Sequence, residues 1–112
     1  MGNGYLDRIR NYLPMSKLRK SARDQDCTLQ IFGVCNSNPE TTVLAHLPDE
    51  SGTGKMGGKS DDWIACFACS DCHDMIDGRR NNEFSKTDRE WYEHRAMMRT
   101  WRKWIDMGLI KL

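Results

Sequence analysis

The sequence predicts a small α+β domain built in the order knuckle, β-hairpin, short helix, long helix. Three observations carry this expectation. Two short β-branched or apolar runs, Thr41 to Leu47 and Trp63 to Phe67, flank a glycine-rich acidic stretch at 48–62 and read as two strands of a hairpin. A helical pattern runs from Cys69 to Asp77 and meets Gly78, a residue suited to a helix stop. A longer one runs to about Met107 and meets Gly108.

Along the chain, Tyr5 to Leu13 places Leu6, Ile9 and Leu13 at helical spacing before Pro14 and predicts a short amphipathic helix. Residues 16–24 are basic and polar, a second short helix or a loop. Cys27 to Cys35 alternates imperfectly around Gly33, which predicts a tight turn or knuckle. Asn36 to Glu40 is turn chemistry, and 48–62 is expected to be a mobile loop. Asn81 to Ser85 reads as a linker, and Thr87 with Glu90 as a capping box opening the long helix. On that helix Trp91, Met97, Met98, Trp101, Trp104 and Ile105 fall in one arc. The stripe is expected to pack on the hairpin, with a homodimer interface as the sharper alternative, and His94 inside it to be a buried, hydrogen-bonded histidine.

At 112 residues, with 38% hydrophobic and 29% charged side chains, the chain suits one soluble domain with a modest core. No apolar run reaches the length of a membrane span and no signal peptide is visible, so a soluble, cytoplasmic protein is expected. The net charge of +1 hides an uneven distribution. Basic residues collect in 1–23 and acidic ones in 48–77, a pattern that suits a metal-binding centre framed by phosphate-binding arms and that solvated charge explains nearly as well.

Five cysteines without an export signal point to metal rather than disulfides. Cys69 and Cys72, three apart at a helix start, project from one side of the first turn. Cys27 and Cys35 can complete a tetrahedral zinc site, whereas Cys66, on the preceding strand, is expected to face the core. His73 lies about 100° around the helix from Cys72, so it faces another surface, which Asp77 shares four residues on. Imidazole and carboxylate together suit a catalytic divalent ion, Mg2+ or Mn2+ as readily as zinc. His46, on the first strand with Thr42 and Leu44, stands at the loop mouth where a general base can reach a water.

Taken together, Leu44-Ala45-His46, the glycine-rich stretch and Ala68-Cys69-Ser70-Asp71-Cys72-His73 resemble the HNH endonucleases, also called ββα-metal nucleases. The stretches from Cys35 to His46 and from Ala68 to Asp77 are similar to those of the YbcO-type prophage putative nucleases, and the likeness runs from about Met15 to the C-terminus. Residues 1–14 then form an extension and 15–112 the HNH-like domain. The resemblance implies a zinc-held treble-clef, ββα-metal fold and hydrolysis of nucleic-acid phosphodiesters. It places His46 as general base, His73 as a metal ligand and Asp77 in the place of the later ligand. The chain departs from the pattern twice. Ala45 precedes the base where many HNH enzymes carry a ligand, and no asparagine stands near Ile64, although Asp61 and Asp62 are close by.

The expected function is therefore a metal-dependent endonuclease, with structural zinc at Cys27, Cys35, Cys69 and Cys72 and a catalytic Mg2+ or Mn2+ at His73 and Asp77. Lys55, Lys59, Arg79, Arg80 and the basic arm would contact phosphates, of DNA in the first instance. The competing expectation is an inactive zinc module that binds DNA or a protein partner in phage DNA metabolism. Gly54 to Ser60 only hints at a P-loop: Thr53 stands where the pattern requires glycine, and Asp61-Asp62 and a strand follow where a helix should begin.

Overall fold

The computed structural model describes residues 17–50, 60–78 and 84–112. The expected helix at Tyr5 to Leu13, the extension 1–14, most of the 48–62 loop and the positions Lys55, Lys59, Arg79 and Arg80 lie outside the described residues. A helical turn at residues 17–21 (α1) leads into the knuckle at 27–35. A 3-10 turn, Pro39–Thr41, precedes strand β1, Val43–His46, which pairs with β2, Ala65–Ala68. Helix α2, Ser70–Ile76, follows, and then helix α3, Lys86–Asp106. The α+β order matches the expectation. Among the described residues, no helix is long and apolar enough to cross a membrane.

Both strands are shorter than expected. The proline-started turn, capped by the Asn38 side chain on the Glu40 N–H, takes Thr41 out of β1. Trp63 falls in a turn closed by Ile64 N–H donating to the Asp61 carbonyl at 2.9 Å. The strands are antiparallel with Leu44 opposite Phe67, Ala45 opposite Cys66 and His46 opposite Ala65. Alternation along a strand then sorts the core into two layers. Ala45, Cys66 and Ala68 pack with Leu29, Ile31 and the cysteines of the knuckle, while Leu44, Ala65 and Phe67 pack with Ala22 and Trp104. His46 belongs by period to the second face, beside Leu44.

All of β2 is buried, although β1 covers only one of its edges. Two threonines satisfy the other edge. Thr28 donates from its backbone N–H and from Oγ1 to the Phe67 carbonyl, both at 2.8 Å. Phe67 N–H donates to Thr100 Oγ1 at 3.1 Å, and the two threonine hydroxyls meet at 3.0 Å. A buried edge left without such partners would cost a hydrogen bond per orphaned group. Trp104 stacks edge-on against Phe67, 5.9 Å between centroids, and donates Nε1–H to Ser21 Oγ at 2.7 Å, tying α3 to α1.

Two expectations for α3 need correction. Its cap is Ser85, whose hydroxyl accepts from Asp88 N–H at 3.0 Å, rather than Thr87 with Glu90. Its buried face is Glu93, Ala96, Thr100 and Trp104, so Trp91, Met98 and Ile105 of the expected stripe are exposed. The helix is rotated from the purely apolar choice because Thr100 must reach the β2 edge. His94 is consequently not buried: its side chain is 57% exposed and lies 3.5 Å from Glu50. Arg95 and Arg99 reach across to the knuckle, onto the Leu29 and Thr28 carbonyls at 3.0 and 3.5 Å.

Candidate functional site

The knuckle and the start of α2 build a thiol cluster. Gly33 takes φ +76° at the knuckle tip, and Gln30, at φ +47°, turns its N–H onto Cys27 Sγ at 3.5 Å. At the other wall Cys69 is itself the N-cap of α2, accepting from Cys72 N–H at 3.4 Å. Asn36 fastens the two walls, donating to Asp71 Oδ2 at 2.9 Å and Ser70 Oγ at 3.2 Å. Cys27, Cys35, Cys69 and Cys72 then have all four sulfurs within 4.8 Å of one another, and Cys69 and Cys35 approach to 3.9 Å. Tetrahedral zinc with Zn–S of about 2.3 Å separates its sulfurs by about 3.8 Å, so this cluster can bind a metal such as zinc with little adjustment.

The electrostatics agree with a ligand set. The Cys27 thiol is pushed down to about 5, first by the hydrogen bond with Cys72 and then, against the opposing effect of burial, by backbone N–H groups including that of Gln30. Cys72, the other partner in that bond, is pushed up. Burial raises Cys35. Cys66 is fully buried and stands outside the cluster, its thiol pushed up by burial, as its strand position predicts.

The second feature is an open cleft of about 740 Å3, lined by His46 from β1 and by His73 and Asp77 from α2. The structure thus brings these three expected residues to one space. His73 Nε2 lies 3.1 Å from Asp77 Oδ2, the pairing anticipated from their i,i+4 spacing. His46 Nε2 lies 2.7 Å from Oδ1 of Asp62, whose side chain is only 1% exposed against 17% for His46. Arg19 closes the chain, its Nε 3.3 Å from Asp62 Oδ1 and 3.2 Å from Oδ2. Ser60 donates to the Leu47 carbonyl and pins the strand end beyond His46. Of two buried oxygens here, Thr42 Oγ1 has no hydrogen-bond partner among the described residues and Asp62 Oδ2 has only its ion-pair contact with Arg19.

The cleft also holds side chains that sequence reasoning did not assign to it. Arg19 and Arg23 belong to the basic arm, but nothing in the sequence places them beside His46. Arg89 lines the cleft from α3 and donates to the Ile76 carbonyl at 3.3 Å. Glu93, only 7% exposed, lines it too, and its carboxyl is pushed up to about 7 by burial, against the attraction of Arg89. A glutamate recurring with Ala96, Thr100 and Trp104 at helical spacing was the available signal for it. Unlike the thiols, the cleft histidines each meet a single carboxylate, His46 that of Asp62, which Arg19 also reaches, and His73 that of Asp77. The four-cysteine cluster is the one set of three or more metal-ligating side chains drawn within 4.8 Å among the described residues.

Comparison with known proteins bears on both features. A protein-family model described as "Putative nuclease YbcO" matches residues 16–109. Proteins carrying that description in Escherichia coli (strain K12) and in Enterobacteria phage 82 are each 44% identical over 97 residues, which is 87% of this chain and 99% of theirs. A solved structure described as that of a putative bacteriophage protein from Escherichia coli str. K-12 substr. MG1655 is 40% identical, with a TM-score of 0.64. It aligns over 82% of this chain and all of its own length.

Proposed function

The chain belongs to the family described as "Putative nuclease YbcO", and from that premise we propose that it is a metal-dependent endonuclease of HNH type, hydrolysing phosphodiester bonds in the cleft between β1 and α2. One observation carries the reading: His46 and the His73–Asp77 pair, from different elements, line the same cleft. The order of knuckle, hairpin and helix, with thiols on the knuckle and the helix start, supports a treble-clef arrangement around structural zinc.

In this reading Asp62 accepts the Nε2–H of His46 and so keeps the lone pair on Nδ1. That nitrogen takes a proton from the attacking water, while the buried carboxylate stabilises the imidazolium that forms. The water oxygen bonds to phosphorus, the ester P–O bond breaks, and the leaving oxygen is protonated from solvent. Arg19 holds Asp62 in place, and Arg23 and Arg89 attract the phosphates of the bound strand. His73 and Asp77, a nitrogen and an oxygen donor, suit Mg2+ or Mn2+, which when bound would offset charge developing on the scissile phosphate. Asp62 thus supplies to the base a support that the missing asparagine does not.

The test is cleavage of plasmid and oligonucleotide DNA with added Mg2+ or Mn2+. His46→Ala and His73→Ala are expected to lower the rate by about 10²–10⁴-fold with the fold intact. Unchanged cutting by either variant would remove that residue from the mechanism.

A further inference from the structure

We propose that a smaller pocket beside the cleft receives one unstacked nucleobase of the bound strand, so that the substrate is single-stranded or locally unpaired nucleic acid. This rests on the nuclease reading of the cleft and names the substrate class of that same site.

The pocket encloses about 160 Å3 and shares Leu47, Pro48 and Glu93 with the cleft as a common wall. A strand whose phosphate sits at His46 therefore has an adjoining space on the far side of β1's end. Ile64 and Met97 give that space an apolar floor, and Trp63, 47% exposed, stands over it. The Trp63 backbone is fixed, its carbonyl accepting from Trp101 Nε1–H at 2.8 Å, and the two indoles lie 6.3 Å apart. The volume equals that of about five waters, room for one planar base and not for a base pair.

Charge divides the two spaces. The cleft carries Arg19, Arg23 and Arg89, whereas among the described residues no lysine or arginine lines the pocket. Its polar groups are instead the carboxyls of Asp49, Glu50 and Glu93 and the imidazole of His94, which lies against Glu50. Guanidiniums suit phosphate, and carboxyl oxygens suit N–H donors. A ligand matching both is a nucleotide whose base is a flat apolar ring bearing an exocyclic amine: adenine, cytosine or guanine. Stacking on an indole tolerates any base, so the aromatic contact supplies affinity while the acidic rim disfavours thymine. A base inside an intact duplex reaches this pocket only by leaving its stack.

The experiment measures binding of labelled 12-mer DNA to the full chain by fluorescence anisotropy, with Ca2+ in place of Mg2+ to suppress cleavage. Single strands of mixed A and C are expected to bind about tenfold more tightly than the same sequence as duplex, and oligo-dT more weakly than either A or C strands. Trp63→Ala should remove most of the single-strand preference and leave duplex affinity unchanged. Met97→Trp, which fills the pocket, should do the same if the alanine variant folds poorly. A single-strand preference that survives both substitutions, or a preference for duplex, would overturn the pocket. Loss of cleavage in His46→Ala without any change in the preference keeps the two claims separable: absence of cleavage in the wild type sinks the nuclease reading, whereas absence of the preference sinks the base pocket.

Discussion

The two sides of α2 teach different lessons about how a small chain builds sites. On one side Cys69 and Cys72 meet Cys27 and Cys35 in a closed, mostly buried cluster whose donors are already within one coordination sphere. On the other, His73 and Asp77 face an open cleft, and the ionisable groups there are satisfied in pairs, His73 with Asp77 and His46 with Asp62. A closed thiol site holds the fold, and an open site with spare coordination is where a substrate can enter. Placing both on a helix of seven residues ties the geometry of the second to the integrity of the first.

The largest effect should come from breaking the closed side. Cys72→Ser removes a fully buried thiol of the proposed zinc site, and structural zinc contributes roughly 10–16 kcal/mol in small zinc domains, comparable to the whole stability of a typical fold of about 5–15 kcal/mol. The variant is expected to lose its metal and its cooperative thermal transition by circular dichroism. A folded, metal-bearing Cys72→Ser protein would mean that the cluster is not the staple.

A second substitution tests the open side. Asp62→Asn keeps the shape but presents an amide to His46 Nε2, favouring the wrong tautomer; a loss of cleavage of about 10²–10⁴-fold is expected. The same change also removes the partner of Arg19, so it should lower stability by about 1–3 kcal/mol, far less than the cysteine variant. Near-normal cleavage by Asp62→Asn would break the proposed link between the buried carboxylate and the base.

The effect at Glu93 is one visible in pH. Burial raises its carboxyl from 4.5 to about 7, so the folded chain holds this proton more tightly than the unfolded chain. Its contribution is therefore fully present below pH 4.5 and is lost as pH rises through about 7. Melting temperature should fall across that window in the wild type, and Glu93→Gln should flatten the fall. An unaltered pH profile in the variant would mean that another group is responsible.

Much of this architecture was legible in the residues. The thiol spacing, Gly78 as the end of α2 and the apolar runs of the hairpin are local signals, and they place the cluster, the helix and the strand that bear His46, His73 and Asp77. What escaped depends on long-range pairing. Asp62 follows a glycine-rich stretch and looks like any loop acid until β2 brings it against His46, 16 residues away in sequence. Thr100 looks like an interruption of an apolar stripe until the β2 edge is seen to need its hydroxyl, and that need rotates α3 and exposes His94. Arg95 and Arg99 likewise find partners distant in sequence, the carbonyls of the knuckle.

In the proposed reading one helix serves two separate metal sites, and metal content per chain distinguishes them. Elemental analysis is required of the wild type, Cys72→Ser and His73→Ala, each purified without chelator and then dialysed against Mn2+. One zinc is expected in the wild type and in His73→Ala, bound Mn2+ in the wild type but not in His73→Ala, and no zinc in Cys72→Ser. Loss of zinc from His73→Ala, or Mn2+ retained without His73, would contradict the division between a closed structural site and an open one.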